Sequence, residues 1–108
     1  MYQYHQLLND TFTVPYIEHV KQIYFYNYGW FDDMATVVLN GVSRHGLGNN
    51  RYHGAPQGSG TYYYLDDQVK QIIANANGNT INIQIGVTDL KGGSCMVDAD
   101  TIIYFVYE

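Results

Sequence analysis

The sequence predicts an all-β domain, a β-sandwich, on three observations. Several short runs alternate apolar and polar residues, turns rich in Gly and Asn separate them, and only one stretch carries helical spacing. Alternation with a period of two turns one face of a strand to a core and the other to water. The clearest run is 79–87, where Ile81, Ile83, Ile85 and Val87 alternate with Asn82, Gln84 and Gly86. The chain of 108 residues is read as one domain, 1–108.

Taken in order, Tyr2 to Val14 predicts one or two strands, broken near Asn9-Asp10 and stopped by Pro15. Val20 to Tyr28 is a strand with Ile23 and Phe25 on one face and Tyr24, Tyr26 and Tyr28 on the other. Met34 to Val42 alternates as well, with Ala35, Val37 and Leu39 on one face. Asn40-Gly41 then turns the chain, because both residues accept a positive φ. The stretch 43–61 reads as a long Gly-rich loop, whereas a hairpin needs only about two to five residues. Tyr62 to Leu65 is a short strand. Val69, Ile72 and Ile73 fall at i, i+3 and i+4, so 67–74 predicts a short helix with Asp66 as its N-cap. Asn75-Ala76-Asn77-Gly78 ends it. Thr101 to Tyr107, β-branched and aromatic, is the last strand.

Composition removes several classes of function. Charged residues make up 14% of the chain, against about 25% in an ordinary domain, and the net charge is −5. Such a surface cannot neutralise a row of phosphates, so nucleic acid is not an expected partner. A hydrophobic fraction of 46% argues against disorder. No apolar run approaches the roughly 20 residues of a membrane helix, so membrane insertion is not expected. The single cysteine, Cys95, excludes an intrachain disulfide and a Cys-based zinc site. Met1 to His5 lacks a signal peptide's basic and apolar regions, and the expected location is extracellular or a cell or virion surface.

Two motifs carry a resemblance. The first is Asp32-Asp33-Met34-Ala35-Thr36-Val37-Val38-Leu39-Asn40-Gly41-Val42. The second is Asn77-Gly78-Asn79-Thr80-Ile81-Asn82-Ile83-Gln84-Ile85, followed by Asp89 and Gly92-Gly93. Over roughly residues 18–107 the chain resembles galactose-binding-like jelly-roll domains, which occur as carbohydrate-binding modules, adhesin domains and conjugation tip proteins. The resemblance implies a jelly-roll β-sandwich with one short helical turn, and a fold that hosts many roles.

The candidate ligand site is the 43–61 stretch. Arg44, His45, Asn49, Asn50, Arg51, Tyr52, His53 and Gln57 gather guanidinium, imidazole and amide groups around one aromatic ring. Sugar recognition uses that mixture: a ring covers the apolar CH face and planar polar groups read the hydroxyls. Asp32 and Asp33 are expected to brace its base. No cofactor is expected. A structural calcium is the metal the carboxylates suit, with Asp98 and Asp100 as candidate ligands. Catalysis has little support: Asp32-Asp33 and Asp66-Asp67 are sequence neighbours, whose side chains on a strand would point to opposite faces, and no serine sits in a G-x-S-x-G elbow.

The expected function is therefore a non-catalytic, lectin-like or adhesin-like module that recognises cell-surface carbohydrate. The alternative is a structural self-assembling protein, such as a virion, phage-tail or pilus-tip subunit. Its tyrosine stripes at 24–28 and 62–64 would be subunit contacts, and a homo-oligomer is expected.

Overall fold

The structure, a computed structural model, describes residues 3–27, 30–31, 34–47, 60–89, 97–98 and 101–108. Those residues form antiparallel β-sheets with one short helix. In chain order the elements are β1 (Gln3–Thr13), β2 (Val20–Asn27), β3 (Trp30–Phe31), β4 (Met34–Leu39), β5 (Val42–Leu47), β6 (Gly60–Tyr63), α1 (Asp66–Ala74), β7 (Thr80–Asp89), β8 (Val97–Asp98) and β9 (Thr101–Tyr107). A single 3₁₀ turn, Ile17–His19, precedes β2. One sheet has the order β1-β7-β4-β5, a second β6-β2-β9, and β3 pairs with β8.

Both larger sheets and the helix contribute to one hydrophobic core. Ile23 and Phe25 come from β2, Val37 and Leu39 from β4, Ile81, Ile83 and Ile85 from β7, and Val69 and Ile72 from α1. The alternations at 23–25 and 81–85 therefore point where the sequence predicts. Phe12 of β1 and Phe105 of β9 meet at 6.0 Å and pack on the same cluster. A nine-residue helix is too short to be stable alone in water, so α1 is held by the burial of its Val69–Ile72 stripe.

Asn40 and Gly41 have φ values of 48° and 83°, the pair of left-handed residues that a two-residue hairpin requires. They set the register Leu39↔Val42 between β4 and β5. A Cβ added at Gly41 would meet nothing within 4 Å, so the demand is on backbone angle alone. Gly41→Ala is expected to cost about 1–2 kcal/mol. Urea unfolding checks this: the midpoint falls while the slope is unchanged.

Four expectations need correction. The first strand is not broken at Asn9-Asp10. β1 runs through them, paired along β7, and its irregularity is a bulge at Leu7, where Gln6↔Gly86 is followed by Leu8↔Ile85. Asn9 serves a cross-strand contact instead of a turn: Asn82 Nδ2 donates to Asn9 Oδ1 (2.8 Å) and Thr11 Oγ1 (3.3 Å).

The 43–61 stretch is not all loop. β5 extends to Leu47 with a bulge at Gly46, and β6 begins at Gly60, so Arg44 and His45 lie on a strand. The physical reason is that β4 has a second hydrogen-bonding edge, and the tight turn delivers β5 directly onto it. The helix N-cap is Leu65 rather than Asp66, which is the first helical residue. Leucine has no side-chain acceptor, and what remains of a capping box is its return arm, Leu65 N–H donating to Gln68 Oε1 at 2.9 Å. Finally, Tyr62 to Tyr64 is not one outward block: Tyr63 is 57% exposed while Tyr64 is buried in the core.

Candidate functional site

Arg44 is the one predicted ligand residue whose side chain is described. Its Nε donates to the Tyr63 carbonyl at 3.0 Å, tying β5, the edge of one sheet, to β6, the edge of the other. Gln68 on α1 completes the junction, with Nε2 donating to the Ser43 carbonyl at 3.1 Å. Gln68 thereby serves one carbonyl of the β5 edge, and Arg44 one carbonyl of β6.

The same residues line an open depression of about 370 Å³ with Ser43, Tyr63 and Leu65. A second, of about 380 Å³, shares Tyr63 and Leu65 with it and adds Gln22, Asp66 and Asp67. A third, of about 420 Å³, shares Gln22 and Asp66 and ends between Lys21 of β2 and Lys70 of α1. Together they form a furrow around the N-terminal half of the helix. Its floor includes Val20, Ile23 and Val69, all buried. Among the described residues neither Lys21 nor Lys70 has an ion-pair partner.

The furrow exists because β6 ends early. β2 pairs with β6 only from Tyr24 to Asn27, extended by Tyr64 N–H donating to the Ile23 carbonyl at 3.0 Å. The chain then turns into α1, whose residues Asp66, Val69, Lys70 and Ile73 run beside Val20 to Gln22 in place of a strand. Lys21 is the bulged residue of β2, between Val20↔Tyr107 and Gln22↔Val106. A lysine at a bulge and a covering helix both discourage a further strand from adding there.

A ladder of tyrosines crosses the outer face of the β6-β2-β9 sheet. Tyr24 stands in register with Tyr63 and with Tyr104. Its ring lies 4.7 Å from Tyr104 at 13° and 5.3 Å from Tyr63 at 36°. Each such pair contributes about 0.5–1.5 kcal/mol beyond area burial. The ladder continues in Tyr26↔Ile102 and Gln22↔Val106. Sequence reasoning identified tyrosine stripes at 24–28 and 62–64 as candidate subunit contacts, but it placed Tyr63 in no ligand site and gave no role to Tyr104 or Gln68. Alternation along β9 marks Tyr104 as facing away from Phe105; the pairing that sets it beside Tyr24 is non-local and has no sequence signal.

The other predicted residues are placed as follows. His45 lies on β5 and Asp98 on β8, by backbone position. Asn49, Asn50, Arg51, Tyr52, His53, Gln57, Asp32, Asp33 and Asp100 lie outside the described residues, as does Tyr28. Arg44 is three residues before the end of β5 and Tyr63 three residues after the start of β6. At about 3.3 Å per residue, the furrow they line sits roughly 10 Å along the strands from the strand ends Leu47 and Gly60. The structure brings Arg44 together with Tyr63 and Gln68, a set the sequence did not assemble. Comparison with protein-family models, curated proteins and solved structures finds no match to the chain.

Proposed function

We propose that the chain is a non-catalytic, galactose-binding-like jelly-roll module that recognises carbohydrate, and that the furrow around α1 is its ligand site. Strand order supports the fold. In an eight-stranded jelly roll one sheet orders the second, seventh, fourth and fifth strands, and the other the first, eighth, third and sixth. Setting aside the two-residue β3 and β8, the sheets β1-β7-β4-β5 and β9-β2-β6 follow that order, with no counterpart of the first strand among the described residues.

The observation that carries the ligand reading is the exposed Tyr63 ring beside the Arg44 guanidinium and the Gln68 amide, in an open furrow. One face of Tyr63 meets Tyr24, and its exposure leaves ring surface for the CH face of a sugar. Gln22, Asp66 and Asp67 supply acceptors and donors for hydroxyls further along. Recognition is reversible, each site is weak, and useful binding comes from several sites acting together.

A glycan array followed by titration tests this, using Tyr63→Ala beside an Arg51→Ala/Tyr52→Ala double variant. The expected result is a glycan hit whose affinity falls about ten-fold or more in Tyr63→Ala, roughly 1.4 kcal/mol, and is unchanged in the double variant. Loss only in the double variant moves the site to the 48–59 segment. No hit at high protein concentration removes the carbohydrate reading. The second reading, a self-assembling structural subunit, is favoured by the uncharged tyrosine ladder.

A further inference from the structure

We propose that Asn77-Gly78, on the turn between α1 and β7, is a site of spontaneous covalent modification in the folded chain. Asn77 is converted to aspartate and isoaspartate, and the conversion loosens the hold of this turn on β1. The proposal is independent of what the furrow binds.

The chemistry needs a particular pair of residues. Hydroxide takes the proton of the Gly78 N–H, and the bared main-chain nitrogen attacks Cγ of Asn77. The nitrogen–Cγ bond forms, the Cγ–Nδ2 bond breaks, and Nδ2 takes a proton from water and leaves as ammonia. Water then opens the cyclic imide at one of its two carbonyl carbons. Opening at Cγ restores the original peptide bond and leaves aspartate. Opening at the main-chain carbonyl leaves Gly78 joined through Cγ, an isoaspartate. Nothing is oxidised or reduced. A side chain on the following residue would crowd the approach, so glycine is the residue that permits it.

Two Asn-Gly pairs occur in the chain, Asn40-Gly41 and Asn77-Gly78. Their glycines are alike. φ is 83° at Gly41 and 68° at Gly78, and a Cβ added at either would meet nothing within 4 Å. The asparagines differ. Asn40 is half-buried, with Oδ1 accepting from the Asn82 N–H at 2.8 Å and Nδ2 donating to the Ile72 carbonyl at 3.0 Å. Its Cγ cannot turn onto the Gly41 nitrogen without giving up both bonds. Asn77 is exposed, and among the described residues neither its side-chain amide nor the Gly78 N–H has a hydrogen-bond partner. The Asn77 carbonyl does have one: Thr80 Oγ1 donates to it at 2.6 Å. As Gly78 loses its proton, negative charge spreads onto that carbonyl oxygen, where the hydroxyl stabilises it.

The turn matters because Asn79 ties it to the rest of the fold. The Asn79 carbonyl accepts from the Val14 N–H at 2.7 Å, and its Oδ1 accepts from the Ile17 N–H at 3.4 Å. These bonds hold the start of β7 to the end of β1 and to the 3₁₀ turn. Isoaspartate routes the main chain through one extra carbon just before Gly78, so Asn79 can no longer keep the same position relative to both.

Ageing the full chain in mildly alkaline buffer tests the proposal, with peptide mass spectrometry and isoaspartyl content read over time. The same chain in guanidinium chloride is the reference, because unfolding frees both pairs. There the two pairs are expected to convert at similar rates. In the folded chain Asn77 is expected to convert about ten-fold or more faster than Asn40, whose reaction waits for local opening. Asn77→Gln, whose side chain closes only a larger and less favoured ring, is expected to stay unmodified at this position. Amide hydrogen exchange at Val14 is expected to speed in the aged wild type and not in the aged Asn77→Gln variant. Equal rates at the two pairs in the folded chain, or an inert Asn77 where the unfolded chain reacts, overturn the site. Val14 exchange as slow in the modified chain as in the fresh one overturns the loosening.

Discussion

Asn40→Ala lowers the free energy of unfolding by about 3 kcal/mol, the larger part from hydrogen bonds and the rest from backbone strain. Asn40 is half-buried and joins three elements. Its Oδ1 accepts from the Asn82 N–H at 2.8 Å, and its Nδ2 donates to the Ile72 carbonyl at 3.0 Å. Its own N–H donates to the Asn82 carbonyl at 2.9 Å, and its carbonyl accepts from Asn75 Nδ2 at 2.9 Å. The Ile72 contact matters most to the helix. The last carbonyls of a helix lack partners within it, and here Gln71 and Ile73 are served by the N–H groups of Asn75 and Ala76. Asn40 serves the one between them.

Alanine removes the side-chain bonds and also sits poorly at φ 48°. Asn40→Gly isolates the first effect: it restores backbone freedom, so it is expected to cost about 1 kcal/mol less than alanine. Asn40→Asp keeps an acceptor for Asn82 but turns an oxygen toward the Ile72 carbonyl. Its loss is expected to lessen in acid, where the protonated carboxyl can donate. Urea midpoints for the three variants check the ordering. Amide hydrogen exchange at Asn82 should speed in both Ala and Gly; equal protection would detach the turn from β7.

This keystone was half legible. Asn-Gly between two apolar runs announces a tight hairpin, because few other residue pairs accept two positive φ values. Nothing local says that the same asparagine caps a helix thirty-odd positions later, since that contact depends on how the chain returns. The same division runs through the fold. Ile81, Ile83 and Ile85, Ile23 and Phe25, and Val69 and Ile72 are legible because burial imposes a period on the sequence. The bulges at Leu7, Lys21 and Gly46 shift the register by one residue with no residue type that demands it. Strand order is non-local throughout: of the long strands, only β4 and β5 are joined as a hairpin within one sheet.

The site shows why composition alone misleads. Arginine, histidine and asparagine in a Gly-rich stretch look like a loop prepared for a ligand. Arg44 instead sits on an edge strand, and its Nε is engaged by a main-chain carbonyl of the other sheet. What makes it a candidate ligand residue is the company it keeps, Tyr63 from β6 and Gln68 from α1. That company is assembled by the early end of β6, a feature of topology rather than of any motif.

Tyr64→Phe gives the second large effect, and its signature is in alkali. Tyr64 is 5% exposed, its ring lies 6.2 Å from Phe25, and its hydroxyl donates to the Val37 carbonyl at 3.0 Å. Burial pushes the phenol well above its usual range, and the nearby Arg44 cation pulls it only partly back. A raised folded-state pKa means that the unfolded chain loses this proton first. The stability tied to it is whole below about pH 10 and drains above that, by up to about 1.4 kcal/mol per pH unit.

Near neutral pH the phenylalanine variant is expected to be less stable by about 1–2 kcal/mol, because the Val37 carbonyl loses that donor. Above pH 10 the wild type alone carries the cost of keeping Tyr64 protonated, so the two stabilities converge. Urea unfolding from pH 7 to 11 measures both curves. The other eleven tyrosines are common to both proteins, so their contribution cancels in the difference. Convergence assigns the alkaline loss to the Tyr64 phenol, which reaches β4 from the residue just after β6. Parallel curves would mean that the buried hydroxyl reaches solvent, and that the contact between the two sheets at Val37 is looser than its geometry implies.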